Sequence, residues 1–538
     1  MPIRLLLQVL FLINFATPLC AATLSSSNIP LDSPIYAYLE KLSGLGLVTS
    51  DVRGLKPFSR AEAARLTLEA EQALRKPSIT SPAFAWALIR QMRELIPREM
   101  SLHGTDATPQ LFDINPLLAA RLRYVYLDGA PRSYERQAHD PGGDGVFGIG
   151  GGLRPTNPYP SPVQHHGTEG TPLLENNEGT SYQQGDNAEL RVAAEGYLGR
   201  YAVALAEPQL LYHREDGDAT LTLNRGYIKL GGGALEMELG RDANWLGQGY
   251  RGAITLSNNA QNLDLIKLSS PEPFRVGWLT WLGDLKYALI GARLDKTGTG
   301  ATERQPWFYA LKLIAKPASD LEIGFNLGRQ VGGPGVNNGL GDTLRGLIGG
   351  TNADNSNGMA GFELRYRAPW LRNTELYAEF SGEDTAAFWP IVESYLAGFY
   401  IPMLTDDGRN DLRFEYFRGN NILYTHSTFP QGYLYHNLPL GHAQGGATED
   451  FFVRYSHWFG VRNNLALEYF YTTRGSFGRL AGQAVEKKQA GRISWSLPVF
   501  GDIDAQASYG IERIANLNLV EDVGRTNQLL RFELRYRY

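Results

Sequence analysis

Hydrophobic and polar residues alternate along most of this chain. The last ten residues, LLRFELRYRY (529–538), place leucine and aromatic side chains on one side, and three arginines and Glu533 on the other. The segments LLAARLRYVYL (117–127), GFELRYR (361–367) and NNLALEYFYTT (463–473) have the same period. Strict alternation predicts β-strands that lie between two different environments.

The strands and their connectors predict a closed barrel. Strand segments of roughly nine to twelve residues suit tilted membrane strands. Long loops at 331–356, 384–393, 419–448, 474–487 and 515–526 alternate with tight turns near 317–320, 369–373, 406–408, 459–462 and 500–502, as in outer-membrane barrels. We treat Phe274–Asp284 as part of a connection. Keeping this parity predicts 18 strands, starting near residues 117, 188, 201, 221, 233, 262, 284, 306, 321, 357, 374, 394, 410, 449, 463, 489, 503 and 527.

Helix signals precede the strands. Ser33-Pro34 is an N-cap followed by proline at the first helical position, and Ser59 with Glu62 forms a capping box. Ser81-Pro82 repeats the first signal, and Pro97 ends the helix that follows. Three short amphipathic helices therefore form a small bundle, and their apolar stripes are interpreted as core.

The chain begins with a predicted secretory signal. Arg4 precedes LLLQVLFLINFA, an apolar stretch of signal-peptide length, and cleavage is expected after Ala22. Cys20 is the only cysteine, so the mature protein would have none and no disulfides. We predict a signal peptide (1–22), a periplasmic helical domain (23–112) and an outer-membrane β-barrel (113–538).

Composition fits a large β-structure. Aromatic residues make up 11% of the 538 residues and 60 are glycine, which suits strands, turns and interface aromatics. The net charge of −5 gives no reason to expect nucleic acid as a partner.

The rows opposite the apolar rows carry many charges. If the apolar rows face lipid, these charges line the lumen. Cross-strand ion pairing that stiffens a filled barrel is the favoured interpretation, and a basic path for an anionic solute is the alternative. The arginines are Arg121, Arg123, Arg191, Arg365, Arg367, Arg413, Arg454, Arg492, Arg531, Arg535 and Arg537; the carboxylates are Glu189, Glu195, Glu363, Glu415, Glu468, Asp504, Glu512 and Glu533.

Few motifs in the sequence indicate catalysis, metal binding or nucleotide binding. The loop 128–187 is long and rich in Gly, Pro, Asn and His, which favours an outer or inward-folded loop with a recognition or gating role. His165-His166 is a weak metal signal, and Gly148–Gly152 lacks the strand–helix context of a nucleotide fingerprint. We therefore predict no catalytic residue, metal or cofactor.

One segment resembles a known family. GRDANWLGQGYRGAITLSNNAQNLDLIKLSS (240–270) is polar and glycine-rich, without a lipid-compatible face. Its Gly240–Asp242, Trp245–Tyr250 and Leu256–Ala260 pieces resemble, in order, those of the capsule assembly Wzi family. PLDSPIYAYLEKLSGLGL (30–47) and GLKPFSRAEAARL (54–66) resemble its N-terminal region, so the resemblance covers effectively the whole mature chain. Trp245-Leu246 departs from the more aromatic pair expected there.

The resemblance implies an 18-stranded outer-membrane barrel with a periplasmic helical bundle. It also implies a lectin-like role that holds capsular or extracellular polysaccharide at the cell surface. Sugar binding needs aromatic faces and planar polar groups, which this segment contains, although interface-belt aromatics and turn asparagines would explain the same residues. The candidate ligand-binding residues are Arg241, Asp242, Trp245, Tyr250, Asn258 and Asn259, together with Arg121, Arg123, Arg535 and Arg537 of the first and last strands.

The sequence thus predicts a monomeric, non-enzymatic barrel whose partners are polysaccharide, outer-membrane lipid and the barrel assembly machinery, which would recognise the terminal Tyr538. A porin-like channel for small anions and an outer-membrane hydrolase are the alternatives. If the last strand closes on the first, five arginines would meet at one seam, with Glu533 as the only evident counter-charge on these two rows.

Overall fold

The fold is that of a computed structural model, which describes residues 24–76, 83–103, 105, 107–140, 142, 157–348, 355–386 and 388–537. The predicted signal peptide, Ser81-Pro82, Gly148–Gly152 and Tyr538 lie outside the described residues. Within the described ranges, no helix is long and apolar enough to cross a membrane.

Four short helices form the N-terminal region: α1 (Pro34–Gly44), α2 (Arg60–Leu74), α3 (Ala83–Leu95) and α4 (Pro97–Leu102). Ser33 caps α1 and Ser59 caps α2, where its hydroxyl accepts the Glu62 N–H at 3.1 Å. The Glu62 carboxylate bonds Arg65. Pro97 does end the third helix, but the chain begins a fourth helix there, because proline is favoured at a first helical position.

Eighteen antiparallel strands form one closed barrel. The last strand pairs with the first, with Arg121 opposite Arg535 and Arg123 opposite Glu533. Each predicted strand start lies within five residues of an observed start, so the 18-strand prediction is confirmed. The strands are β1 (Phe112–Asp128), β2 (Gly185–Leu198), β3 (Ala202–His213), β4 (Asp218–Gly232), β5 (Leu235–Asp242), β6 (Leu263–Ser269), β7 (Asp284–Arg293), β8 (Trp307–Ala318), β9 (Leu321–Val331), β10 (Ser356–Ala368), β11 (Thr374–Ala386), β12 (Trp389–Ile401), β13 (Asn410–Gly419), β14 (Thr448–Gly460), β15 (Asn463–Arg474), β16 (Glu486–Phe500), β17 (Ile503–Ala515) and β18 (Gly524–Tyr536).

The two faces of each strand differ as the alternation predicts. In β1, Leu122 and Tyr124 are 52% and 39% exposed on the outside, whereas Arg121 and Arg123 are buried inside. An apolar outer face with a polar interior is the pattern of a membrane-spanning barrel.

Connectors differ between the two ends of the barrel. At the end where β1 begins, here called the short-turn end, most are two to five residues long, as at 319–320, 369–373 and 501–502. The opposite end carries the long connectors 129–184, 332–355, 420–447 and 475–485, and one helix, α5 (Leu340–Ile348), lies in the second of them. Phe274 belongs to the connection 270–283 at the short-turn end, as predicted.

The predicted long loop 384–393 is wrong. Strands β11 and β12 leave only residues 387–388 between them. The strands continue through this range because Ile391 and Val392 are buried against Ile422, and the neighbouring Glu383 is buried and accepts the Tyr424 N–H at 2.7 Å.

The loop 128–187 is neither wholly outside nor unstructured. Within this loop, the strand Ser133–Asp140 pairs antiparallel with the strand Tyr159–Thr168. Residues Glu175–Glu178 of the same loop fold into the barrel. The polar residues of this loop are therefore divided between the long-connector end and the lumen.

An inward-folded segment, residues 243–262 between β5 and β6, fills much of the lumen. Three buried carboxylates on the barrel wall hold it. Glu379 accepts the N–H groups of Gly249 and Ile254, at 2.8 and 2.9 Å. The other two are Glu415, which accepts the Tyr250 and Arg251 N–H groups, and Glu322, which accepts the Gln248 amide.

The N-terminal region covers part of the short-turn end. Trp458 of β14 completes its apolar core by packing on Tyr38 and Phe84. The Lys41 ammonium lies 2.8 Å from the Asp411 carboxylate. Leu55–Lys56 pairs with Trp245–Leu246, so the N-terminal region and the inward-folded segment form one continuous plug.

Candidate functional site

A cavity of about 420 Å³, lined by both charged and aromatic side chains, lies beneath the inward-folded segment, between helix α1 and the wall formed by β14 to β18 and β1. We call it the basal chamber. Six of the ten predicted site residues line it, although they come from regions far apart in sequence. These six are Arg121, Arg123, Trp245, Tyr250, Asn258 and Arg535.

The two aromatic residues of the inward-folded segment lie inside the barrel. Trp245 is buried, and the Lys56 ammonium lies 5.3 Å from its ring centroid. Tyr250 stacks on Phe452 with a centroid distance of 5.7 Å, and the Arg413 guanidinium lies 4.4 Å from the tyrosine ring. Both rings are therefore in contact with cations within the lumen, and neither belongs to an interface belt.

Arginines of β1 and β18 form the opposite wall. Arg121 donates to Asp32 and Glu189, and Arg123 to Glu189 and Glu533. Arg535 bonds both Glu533 and Asp32. Glu533 is the counter-charge that the rows of β1 and β18 themselves supply, and the folded protein adds two more from other elements, because Asp32 arrives from the N-terminal region and Glu189 from β2.

Asp32 is a central partner of these arginines. Burial alone would raise the pKa of its carboxyl group, but Arg121 and Arg535 outweigh burial and lower the pKa to about 2. Asp32 is therefore ionised at neutral pH and fastens the N-terminal region to the seam between β1 and β18.

Four predicted site residues lie elsewhere. Arg241 faces outward and binds Asp264 through two contacts of 2.7 Å. Its neighbour Asp242 points inward, where it is buried and accepts the Asn28 side-chain amide. Asn259 is buried against the Pro439 carbonyl. Arg537, predicted to face inward on the last strand, follows the end of β18 and pairs instead with Asp502 of an exposed turn.

The sequence did not single out several residues that line the chamber. Asp32 and Lys56 belong to the N-terminal region, and Asn176 to the long loop. The Wzi-like stretches 30–47 and 54–66 contain Asp32 and Lys56, and that resemblance is the one signal that could have identified these two residues.

His165 lies outside the chamber. Its side chain is buried in the long loop, where the Nε2 atom is 2.7 Å from the Asn421 carbonyl, and burial lowers its pKa to about 3. The described residues contain no group of three or more His, Cys, Asp or Glu side chains that could hold a metal ion.

Comparisons with known proteins agree with this architecture. One similar solved structure is that of Wzi, an outer membrane protein involved in group 1 capsule assembly in Escherichia coli, which is described as a carbohydrate-binding β-barrel. It superimposes on this chain with a TM-score of 0.66 at 15% identity, and the match covers 95% of this chain and 99% of that one. Two Pseudomonas aeruginosa proteins give lower scores: OccK5 (OpdH), with a TM-score of 0.42 at 11% identity over 79% of this chain and 96% of that one, and OccD3 (OpdP), with 0.41 at 13% identity over 80% and 92%.

A comparison with curated protein sequences gives no significant match. The family described as capsule assembly protein Wzi matches residues 154–529, which is more than half of the chain. This protein is a member of the Wzi capsule assembly family.

Proposed function

We propose that this protein binds capsular or extracellular polysaccharide and anchors it at the cell surface, without acting as an enzyme. The observation that carries the proposal is the basal chamber, where residues of the inward-folded segment and of the β1–β18 seam meet. Its volume of about 420 Å³ is in the range of small-ligand sites, and asparagine and arginine side chains suit hydroxyl and acidic groups of sugars.

The location follows from the outer surface of the barrel. Exposed aromatic side chains ring the short-turn end, as in the interface belts of membrane barrels. We place the barrel (113–538) as a monomer in the outer membrane, in contact with its lipid and inserted by the barrel assembly machinery, and the helical domain (23–112) in the periplasm. The belt residues include Tyr201, Trp278, Trp281, Trp370 and Phe500.

A porin-like channel is the less favoured function. Segment 243–262 is fixed inside the lumen by Glu322, Glu379 and Glu415, and the N-terminal region lies across the short-turn end. A diffusion channel requires a continuous water path, and these two elements obstruct it.

Deleting the gene is expected to release polysaccharide from the cell surface into the medium, and the purified protein is expected to bind that polysaccharide. Retained and shed polysaccharide would be quantified in the deletion strain and in strains complemented with the wild type or with Arg241→Ala. The Arg241→Ala variant is the matched control, because its side chain lies outside the chamber, and it should restore retention fully. Unchanged retention after deletion, together with no binding by the purified protein, would refute the proposal.

A further inference from the structure

Among the residues that the structure describes, two of the cations that line the basal chamber have no carboxylate oxygen within 4.0 Å. Ten cationic side chains line it, and eight of them have a carboxylate oxygen within 4.0 Å. Among the described residues, no carboxylate oxygen lies within that distance of Lys56 or Arg531. The paired cations serve the barrel itself, whereas these two remain able to hold an anion.

The contacts described for these two cations are with neutral groups. Arg531 is partly buried on β18, and its Nε–H group donates to the Ser508 hydroxyl at 3.2 Å. The Lys56 ammonium lies over the rings of Tyr36 and Trp245, 5.8 and 5.3 Å from their centroids. Burial lowers the pKa of Lys56 to about 8, so this ammonium would gain much from a negative partner.

Neutral polar side chains lie on the strands next to Arg531, where Ser508 is opposite Arg531 and Ser494 is opposite Ser508. Four of them line the chamber along β15 to β17, and within the described part of the chain their side chains form no hydrogen bond. The Oε1 atom of Gln506 is buried without a partner. Hydroxyl and amide groups that lack partners are the groups that bind sugar hydroxyls. The four residues are Asn464, Ser494, Ser496 and Gln506.

The chamber opens toward the short-turn end. Arg462, in the turn between β14 and β15, and Asp504, at the start of β17, line it and are 20% and 29% exposed at their side chains. Trp458, Lys41 and Asp32 fix the N-terminal region to β14, β13 and the β1–β18 seam. The sector from β15 to β17 lies between these attachment points, and a ligand would enter through it.

We propose that the basal chamber binds an acidic saccharide, a sugar unit that carries a carboxylate or phosphate group, and that this unit enters from the short-turn end. The anionic group contacts Arg531, Lys56 adds positive charge to the same chamber, and the sugar hydroxyls contact Asn464, Ser494, Ser496 and Gln506. The saccharide nature of the ligand rests on the proposed function, whereas the anion site at Arg531 rests on the geometry alone.

Titration calorimetry on the full-length, detergent-solubilised protein would test this site. The probes are a short oligogalacturonide, a hexose 1-phosphate, a neutral malto-oligosaccharide of similar length and inorganic phosphate. We expect the wild type to bind one of the acidic sugars, more weakly as salt rises, and to bind the neutral sugar weakly or not at all. Arg531→Gln should weaken the binding by about tenfold or more, the size expected of one charge-assisted contact, and Lys56→Gln should weaken it by a smaller factor.

Arg537→Gln is the matched control, because this arginine comes from the same end of the chain but pairs with Asp502 in an exposed turn. It should bind as the wild type does. Equal affinity of all three variants, or equally tight binding of the neutral sugar, would overturn the proposal, and equally tight binding of inorganic phosphate would overturn its saccharide part.

The direction of entry has its own test. A bulky maleimide attached at Arg462→Cys, in the turn at this end and outside the proposed ligand contacts, should block binding, and unchanged binding after complete labelling would overturn entry from the short-turn end. The outcomes also separate this site from the proposed function. If deletion sheds polysaccharide but Arg531→Gln and Lys56→Gln bind normally, only the chamber site fails; if both variants lose acidic-sugar binding while deletion leaves retention unchanged, only the anchoring function fails.

Discussion

Asp51→Asn is expected to loosen the N-terminal region from the barrel. The Asp51 carboxylate is buried among three cations, Lys316 at 3.1 Å, Arg365 at 3.4 Å and Arg53 at 2.7 Å. Neutralising it leaves these cations with fewer counter-charges in a desolvated site, which costs on the order of 3–5 kcal/mol. Amide exchange and protease cleavage within residues 24–103 should increase, while the barrel strands stay protected.

The effect of Asp51→Asn should depend on pH. Burial would raise the pKa of Asp51, but Lys316, Arg365 and Arg53 hold it well below its usual range. A lowered folded-state pKa stabilises the protein above the unfolded value of ~3.9, and this contribution is lost as the pH falls through the folded-state pKa. The difference between wild type and variant should therefore be full at pH 7 and shrink below about pH 4.

Asp407→Asn is the control for this experiment, since Asp407 lies in an exposed turn at the same end of the barrel. It should leave protection of residues 24–103 unchanged. If Asp51→Asn were as protected as the wild type at pH 7, the ion cluster would not be what fixes the N-terminal region.

Glu379→Ala is expected to free the inward-folded segment and to open an ion path. The variant leaves the Gly249 and Ile254 N–H groups without their acceptor inside the lumen. Each buried, unsatisfied group costs about 1–3 kcal/mol. Exchange of these two amides should accelerate, and conductance steps should appear in planar bilayers where the wild type shows few or none.

Two further variants serve as comparisons for Glu379→Ala. Glu379→Gln keeps one carbonyl oxygen as an acceptor and should have an intermediate effect. Glu449→Ala should behave as the wild type, because Glu449, near the start of β14, accepts from Tyr416 and Ser476 rather than from the segment. Rapid amide exchange in Glu379→Ala without any conductance would mean that the remaining plug is enough to seal the barrel.

The barrel was largely predictable from sequence because each strand separates lipid from a polar lumen. The alternation of apolar and polar residues follows directly from that separation, since Leu122 is exposed on the outer face and its neighbour Arg123 is buried inside. The failure at 384–393 has a different origin. The strand ends here contact the connector between β13 and β14, because Glu383 accepts from Tyr424 and Ile391 packs on Ile422, and alternation within a strand does not predict such contacts.

The site was predictable only in part. Sequence places a residue on a face, but it does not reveal which distant segment will meet that face. Asp32 crosses from the N-terminal region to Arg121, and nothing in the alternation of β1 predicts that contact. Arg241 and Asp242 are adjacent in a strand and point to opposite sides, so one resembling motif could not place both of them in a single site.

Trp458 has a consequence for how the protein folds. This side chain belongs to β14, near the C-terminal end of the chain, yet it completes the core that contains Tyr38 and Phe84. The helices are made first, but their apolar core lacks a central member until most of the barrel has assembled. Closing contacts between the two ends of a chain is slow. The segment that leaves the ribosome first therefore reaches its final packing among the last, and it exposes apolar surface during that interval.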